Sequence, residues 1–300
     1  MKEFEMTTYP FTDNEKENTV RSDIHRNAQL LFENSLFDNH DKSELLANFS
    51  SYFKRAEFLF QHEEAARKNG EAKANLYYHN KHHAVYQTTH DAIVLTRAIL
   101  ARNDAFSSHL SAEGAYAIVL GAMYHDTGYV TDPTTNNYAG RTPVHVDDSM
   151  WSLWWSINKL DLPDSLDYNK VKELGMLGIH ATHFPHTEQR TLEAKSMLNE
   201  LAPESRKEAQ IVRLVVQFAD LGGQTARIDY FPHLVRKLRD EMNASTENSG
   251  TNIIGADEEL DVKCRGFINF VVKETVGKSG NALLGEFAHP YFKAWIKNCL

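Results

Sequence analysis

Three histidines and two aspartates of this chain have the types and spacing needed to bind divalent metal ions. His79 and His83 are four residues apart, so a helix that covers both would place them on one face. His125 and Asp126 are adjacent, and Asp220 lies much further along the chain. Imidazole and carboxylate groups ligate divalent cations, and an imidazole that is not a ligand can transfer protons near neutral pH. This combination predicts metal-assisted hydrolysis of phosphate esters.

Apolar segments that favour helices carry these side chains. Residues 83–101 have apolar side chains at roughly helical spacing, and residues 115–128 are almost wholly apolar as far as the His-Asp pair. Residues 211–220 form a second apolar segment that ends in an aspartate. Because an unpaired buried carboxylate is energetically costly, we expect a bound cation to be the partner of Asp126 and Asp220.

The order of these residues resembles the H…HD…D signature of the HD-domain metal-dependent phosphohydrolases. The resemblance spans about residues 75 to 225. Its matching positions are His83, His125, Asp126 and Asp220. Residues 78–84, Tyr-His-Asn-Lys-His-His-Ala, are similar to the YHNxxHA segment of the class I cyclic-nucleotide phosphodiesterases, which belong to the same superfamily. Residues 125–128, His-Asp-Thr-Gly, are closer to the HDxG form of many bacterial HD proteins, because Tyr129 stands where the phosphodiesterases have another histidine.

The resemblance implies a role for each matching residue. His79 would be the general acid that protonates the leaving oxygen, and Asp126 the catalytic carboxylate that can bridge two ions. The implied metal ligands are His83, His125, Asp126 and Asp220, with His145 and His180 as further ligands. The implied cofactor is one or two divalent ions, and histidine and aspartate ligands suit Mg²⁺, Mn²⁺, Fe, Ni²⁺, Co²⁺ or Zn²⁺.

Four further side chains near these motifs are candidates for contacting the substrate. Lys81 and Arg141 carry positive charge that would neutralise a phosphate, although a solvated surface position is the alternative for each. Tyr129 and His183 complete this group.

Charge and cysteine content narrow the partners. The formal net charge is −9 and the pI is about 5.9, which disfavours a sequence-independent grip on duplex nucleic acid. A small phosphoester that resembles a nucleotide is the expected substrate. Cys264 and Cys299 are far apart, so we expect neither a disulfide framework nor a thiolate zinc site. Because the sequence shows neither an apparent signal peptide nor a long apolar run, we expect a cytoplasmic protein that does not bind membranes. The sequence leaves open whether the protein forms a homo-oligomer.

The hydrophobic pattern predicts an all-α protein. The resemblance implies an orthogonal helical bundle of the HD-domain type, and amphipathic segments at 21–38, 42–69, 226–243 and 257–276 predict extra N- and C-terminal helices. We expect residues 1–20 to be a loosely ordered N-terminus and residues 21–300 to be a single helical domain. The side chains of Trp151, Trp154 and Trp155 have the spacing of a helix stripe that faces the core.

Two functions from different classes fit these residues. The first is a phosphohydrolase in which metal-bound hydroxide attacks phosphorus and His79 protonates the departing alcohol, with monoester and diester substrates both open. The second is a catalytically silent HD-type module that senses a nucleotide or binds a protein. The complete ligand set favours the enzyme, since a silent module has no need to retain every ligand.

Overall fold

The computed structural model of this protein describes most of the chain as far as residue 221 and a few residues beyond it. The described residues are 17–68, 76, 78–102, 107–131, 145–183, 188–221, 236–238 and 240–241. Across them the protein is all-α, and no strand occurs, which confirms the predicted fold class. No helix in this part of the chain combines the length and apolar character needed to cross a membrane.

Nine α-helices lie within the described ranges. They are α1 (Glu17–Phe32), α2 (Lys42–Lys68), α3 (Thr88–Arg102), α4 (Ala112–Tyr124), α5 (Gly128–Thr131), α6 (His145–Leu160), α7 (Tyr168–Ala181), α8 (Glu188–Glu200) and α9 (Ser205–Leu221). A π-helical turn, His82–Gln87, leads directly into α3. The helices pack as a bundle around one large apolar core.

Helix α4 is the centre of the bundle. It packs against α3, α6, α7 and α9, and every residue from Gly114 to Tyr124 is buried. A helix that is apolar on all sides has no face suited to water, which explains this central position. The Ser111 side chain caps its first turn by accepting a hydrogen bond from the Gly114 amide.

Small residues let three helices approach closely beside the ligand residues. A Cβ atom on Gly121 of α4 would lie 3.1 Å from the Gly175 carbonyl oxygen of α7 and 3.3 Å from Val216 Cγ2 of α9. His125 and Asp220 each follow this contact by four residues, one helical turn, on α4 and α9. The close crossing therefore brings two residues that are distant in sequence to the same end of the core.

The N-terminal boundary differs from the sequence-based prediction. Helix α1 begins at Glu17, so residues 17–20, predicted to be loosely ordered, are helical, and Val20 is buried. Residues 1–16 lie outside the described residues, as do residues 257–276 and nearly all of 226–243. Helix α8 was not predicted, because it is largely polar and buries only Ala194.

The prediction that the α6 tryptophans form a core stripe is wrong. The side chains of Trp151 and Trp154 are 58% and 41% exposed. The buried face of α6 consists instead of three serines and three apolar residues: Ser149, Ser152, Ser156, Val146, Leu153 and Ile157. Small serines allow α6 to approach its neighbours closely, which displaces the large rings to the outside.

Candidate metal centre and acid–base site

Four of the predicted ligand residues converge on one buried point. Nε2 of His83 lies 3.4 Å from Asp126 Oδ2 and 3.2 Å from Asp220 Oδ1. Nε2 of His125 lies 3.0 Å from Asp126 Oδ2 and 3.5 Å from Asp220 Oδ1. All four residues are buried, and within the described residues the group His83, His125 and Asp126 has the geometry to hold a metal ion.

Unsatisfied atoms in this cluster fit a cation. Nδ1 of His125 donates a hydrogen bond to the Ala122 carbonyl oxygen at 2.8 Å, so in the neutral imidazole the lone pair lies on Nε2. Nε2 of His125 and Oδ2 of Asp126 are both buried and lie 3.0 Å apart, but no hydrogen bond of acceptable geometry joins them to each other or to another described residue. Because buried polar atoms without partners are costly, a divalent ion bound between them would remove an energetic penalty of the fold.

The pKa values of the cluster define which of its groups carry charge before a metal binds. Burial alone would raise the pKa values of Asp126 and Asp220, but the surrounding imidazoles outweigh burial and lower both, so the carboxylates are ionised. Burial lowers the pKa of His83, which favours the neutral, ligating form. Burial would also lower the pKa of His125, yet the two carboxylates raise it well above its ordinary value. A cation that binds there would displace a proton from His125.

Local structure sets the direction of His83. The Asn80 side chain accepts hydrogen bonds from the amides of His82 and His83 at 2.9 and 3.2 Å, so it caps the first turn. The π-helical turn follows, and the Thr88 hydroxyl donates to the His83 carbonyl oxygen at 3.0 Å. π-Helical turns recur at functional sites because they shift side chains away from their α-helical positions.

His79 lies beside the cluster, but it is not on the helix that carries His83. His79 and His83 were expected to share a helix face if one helix covered both, but residues 78–80 form a bend and the helix starts at Lys81, so His79 is not on that helix. The His79 ring nevertheless meets the His83 ring edge-on, with centroids 5.9 Å apart. The bend brings the two side chains together where helical spacing was expected to do so.

A buried glutamate, absent from the sequence-based prediction, anchors His79. Nδ1 of His79 hydrogen-bonds Glu241 Oε1 at 2.5 Å, and Glu241 Oε2 accepts from the amides of Tyr78 and His79 at 2.7 and 3.1 Å. Glu241 is fully buried. No fixed spacing could have revealed it, since it follows His79 by 162 positions in a polar segment.

Tyr129 fills the space between two histidines. Its ring stacks on His79 with centroids 4.6 Å apart and on His145 with centroids 4.6 Å apart. The His145 ring in turn lies parallel to the His183 ring at 6.3 Å. Tyr129 is thus part of the wall beside His79, while His145 and His183 continue the stack away from it.

The other predicted metal-binding and substrate-binding residues lie outside the metal-binding group. Lys81 is buried, and its Nζ pairs with Glu17 of α1 at 2.8 Å, so its charge is already engaged. Nε2 of His180 faces Glu193 of α8 at 3.5 Å, and neither His180 nor His145 belongs to the metal-binding group. Arg141 lies outside the described residues.

No protein-family model matches the chain, and no curated protein matches it.

Proposed function

We propose that this protein is a metal-dependent phosphohydrolase of the HD-domain type. The observation that carries the proposal is the convergence of His83, His125, Asp126 and Asp220, drawn from three separate regions of the chain, on one buried point. His79 lies next to that point and has its own carboxylate partner, so it can act as a proton donor and need not ligate.

The ligands and the acid would divide the reaction between them. A bound divalent ion supplies Lewis acidity, which lowers the pKa of a water ligand and neutralises charge on phosphoryl oxygens. His83, His125, Asp126 and Asp220 would hold that ion, and their burial keeps bulk water from competing for it.

His79 would complete the reaction by protonating the leaving oxygen. Glu241 binds Nδ1 of His79, so the proton given to the leaving oxygen would come from Nε2. The glutamate charge stabilises the imidazolium form, in which both nitrogens carry protons. The proton at Nε2 passes to the departing alkoxide. The Tyr129 ring stacks on the His79 ring and so fixes the plane of the imidazole.

The chemistry of an acid that protonates the leaving group favours esters of alcohols. An alkoxide is a poor leaving group and gains most from a proton in the transition state. Together with the formal net charge of −9, this supports a small, nucleotide-like phosphoester as the substrate and argues against duplex nucleic acid.

The first experiment measures metal content and turnover together. We expect purified protein to contain a divalent metal and to hydrolyse bis-p-nitrophenyl phosphate or p-nitrophenyl phosphate when Mn²⁺ is added. The variant Asp126→Asn keeps the side-chain shape but removes the charge, so it should lose both metal and activity. Asp164→Asn, at an exposed turn, is the matched control and should retain both. A wild-type protein that is metal-free and inert with every divalent cation would refute the proposal.

A further inference from the structure

The π-helical turn that carries His83 is joined near both of its ends to helices α1 and α2. Lys81 directly precedes the turn, and Tyr86 is its fifth residue. Nζ of Lys81 donates to Oε1 of Glu17 on α1 at 2.8 Å. The hydroxyl group of Tyr86 donates to Oε1 of Glu57 on α2 at 2.6 Å. His83 therefore lies between two polar contacts to the N-terminal helices.

Arg21 of α1 connects these two contacts. Its Nε donates to Glu57 Oε1 at 2.5 Å, and its Nη2 donates to Glu17 Oε2 at 3.3 Å. The result is one continuous polar network whose members in order are Lys81, Glu17, Arg21, Glu57 and Tyr86. It starts and ends on the same turn, and its two cations and two anions balance each other.

The buried part of the polar network lies next to the turn. Glu57, Lys81 and Tyr86 are buried, whereas Glu17 and Arg21 are partly exposed. Exposed ion pairs contribute little, but a buried carboxylate that loses a donor keeps its full desolvation penalty. Burial and the Glu57 carboxylate raise the pKa of Tyr86, so the hydroxyl keeps the proton that it donates. The strongest link in the network is therefore the one between Tyr86 and Glu57.

Ring contacts also hold Tyr86 in place. The Phe53 ring of α2 stacks on it with centroids 5.8 Å apart, and the His82 ring meets it edge-on at 5.3 Å. Nζ of Lys81 lies 5.7 Å from the Tyr86 centroid. Tyr86 thus binds α2 through both its ring and its hydroxyl group.

The turn needs such support because an α-helix is its alternative. The Thr88 amide donates to the His83 carbonyl oxygen, five residues back, whereas an α-helix would pair it with residue 84. One residue corresponds to about 100° of rotation around a helix axis. Relaxation of the turn to α geometry would therefore rotate His83 away from Asp126 and Asp220. π-Helical turns are rare and concentrate at functional sites.

We infer that the polar network holds the π-helical turn and thereby positions His83 as a metal ligand, with Tyr86 and Glu57 as the main positioning residues. The role in metal binding rests on the proposed function, whereas the conformation of the turn does not. Breaking the network should release the turn and weaken metal binding. A network that only attaches α1 to the bundle would leave both the turn and the metal affinity unchanged.

The first test measures the turn in metal-free protein. Amide hydrogen exchange of residues 82–88 is compared in wild type, Tyr86→Phe and Tyr52→Phe. Tyr52 is the matched control, because its buried side chain also donates a hydroxyl hydrogen bond, to the Asp161 carbonyl oxygen at 2.8 Å. Exchange in residues 82–88 should be about tenfold faster or more in Tyr86→Phe and unchanged in Tyr52→Phe. Wild-type exchange in a folded Tyr86→Phe protein would overturn the inference.

Two more variants test whether the network acts as a unit. Glu17→Gln removes the partner of Lys81 at the partly exposed end, so it replaces Tyr86→Phe if that protein does not fold. It should also speed exchange in residues 82–88, by a smaller factor. Adding Tyr86→Phe to Glu57→Gln should have less effect than Tyr86→Phe alone, since both changes weaken one link. Fully additive effects, or no effect of Glu17→Gln, would contradict a connected network.

The second test measures the metal site. Co²⁺ is titrated into each protein and followed by visible absorption, which reports the ligands of this ion. Tyr86→Phe should bind Co²⁺ about tenfold more weakly or worse, and its spectrum at saturation should move toward that of His83→Ala. Tyr52→Phe should match wild type in both.

The two tests separate the possible failures. Equal losses of thermal stability in the two tyrosine variants, with wild-type Co²⁺ affinity and spectrum, would overturn the positioning role. If wild type binds neither Co²⁺ nor another divalent ion, the metal-dependent function fails. Faster exchange in Tyr86→Phe would then still show that the polar network holds the turn.

Discussion

Replacing Glu241 with glutamine tests the proposed acid directly. The substitution keeps the size of the side chain but removes the charge that accepts from Nδ1 of His79 at 2.5 Å. A hydrogen bond to a charged group contributes about 2 kcal/mol, and losing that from the transition state would slow the reaction by about thirtyfold. The loss should be confined to substrates whose leaving group needs a proton.

The assay therefore compares two leaving groups on one enzyme. Bis-p-nitrophenyl phosphate releases a weakly basic phenolate, so its hydrolysis by Glu241→Gln should stay within about threefold of wild type. An ester of an aliphatic alcohol should show the full loss. Glu200→Gln, at the exposed end of α8, should change neither rate.

Folding and metal content must be measured alongside these rates. Glu241 is fully buried and also accepts two backbone amide hydrogen bonds, so its replacement can lower the unfolding temperature as well. Equal losses for both leaving groups, with metal content intact, would show that Glu241 supports the fold and does not serve the acid. Wild-type rates for the aliphatic ester in a folded Glu241→Gln protein would refute the role assigned to His79.

Three further predictions concern stability. A Cβ on Gly128 would collide with the His145 backbone carbonyl, so Gly128→Ala should cost about 3 kcal/mol in denaturant unfolding; an unchanged midpoint would contradict the close contact. Because burial lowers the pKa of His180 to about 4, unfolded protein binds more protons between pH 4 and 6.5, and stability falls as the pH drops through that window. His180→Gln should reduce the slope of unfolding free energy against pH by at most about 1.4 kcal/mol per pH unit. Identical slopes in wild type and variant would contradict the lowered pKa of His180. Trp151→Ser should change stability by less than about 0.5 kcal/mol, whereas Ile157→Ala on the buried face should cost about 3 kcal/mol; the reverse order would restore the core interpretation of the tryptophans.

The helical class and four clustered residues could be predicted from the chain because the signals are local. Apolar segments long enough for helices indicate helices wherever they occur, and a carboxylate at the end of such a segment indicates a buried charge that needs a partner. Asp126 and Asp220 are both of this kind. Their proximity to His83 follows the predicted arrangement.

Where local signals were ambiguous, the prediction failed for identifiable reasons. Tryptophans three and four residues apart fit an inward or an outward face equally well, and only the serines opposite them decide which face packs. The spacing of His79 and His83 fits a helix, but the cap at Asn80 starts the helix after His79.

Tertiary structure alone decided which groups surround the cluster. Residue types and local periodicity determined the helices and the kind of ligands, because both depend on side chains within a few turns of one another. The pairing of His79 with Glu241 and the stacking of Tyr129 on His79 depend on contacts between segments far apart in sequence. Such crossings are set by how closely backbones approach, as at Gly121 and Gly175, and no pattern within one segment records its partner across the core.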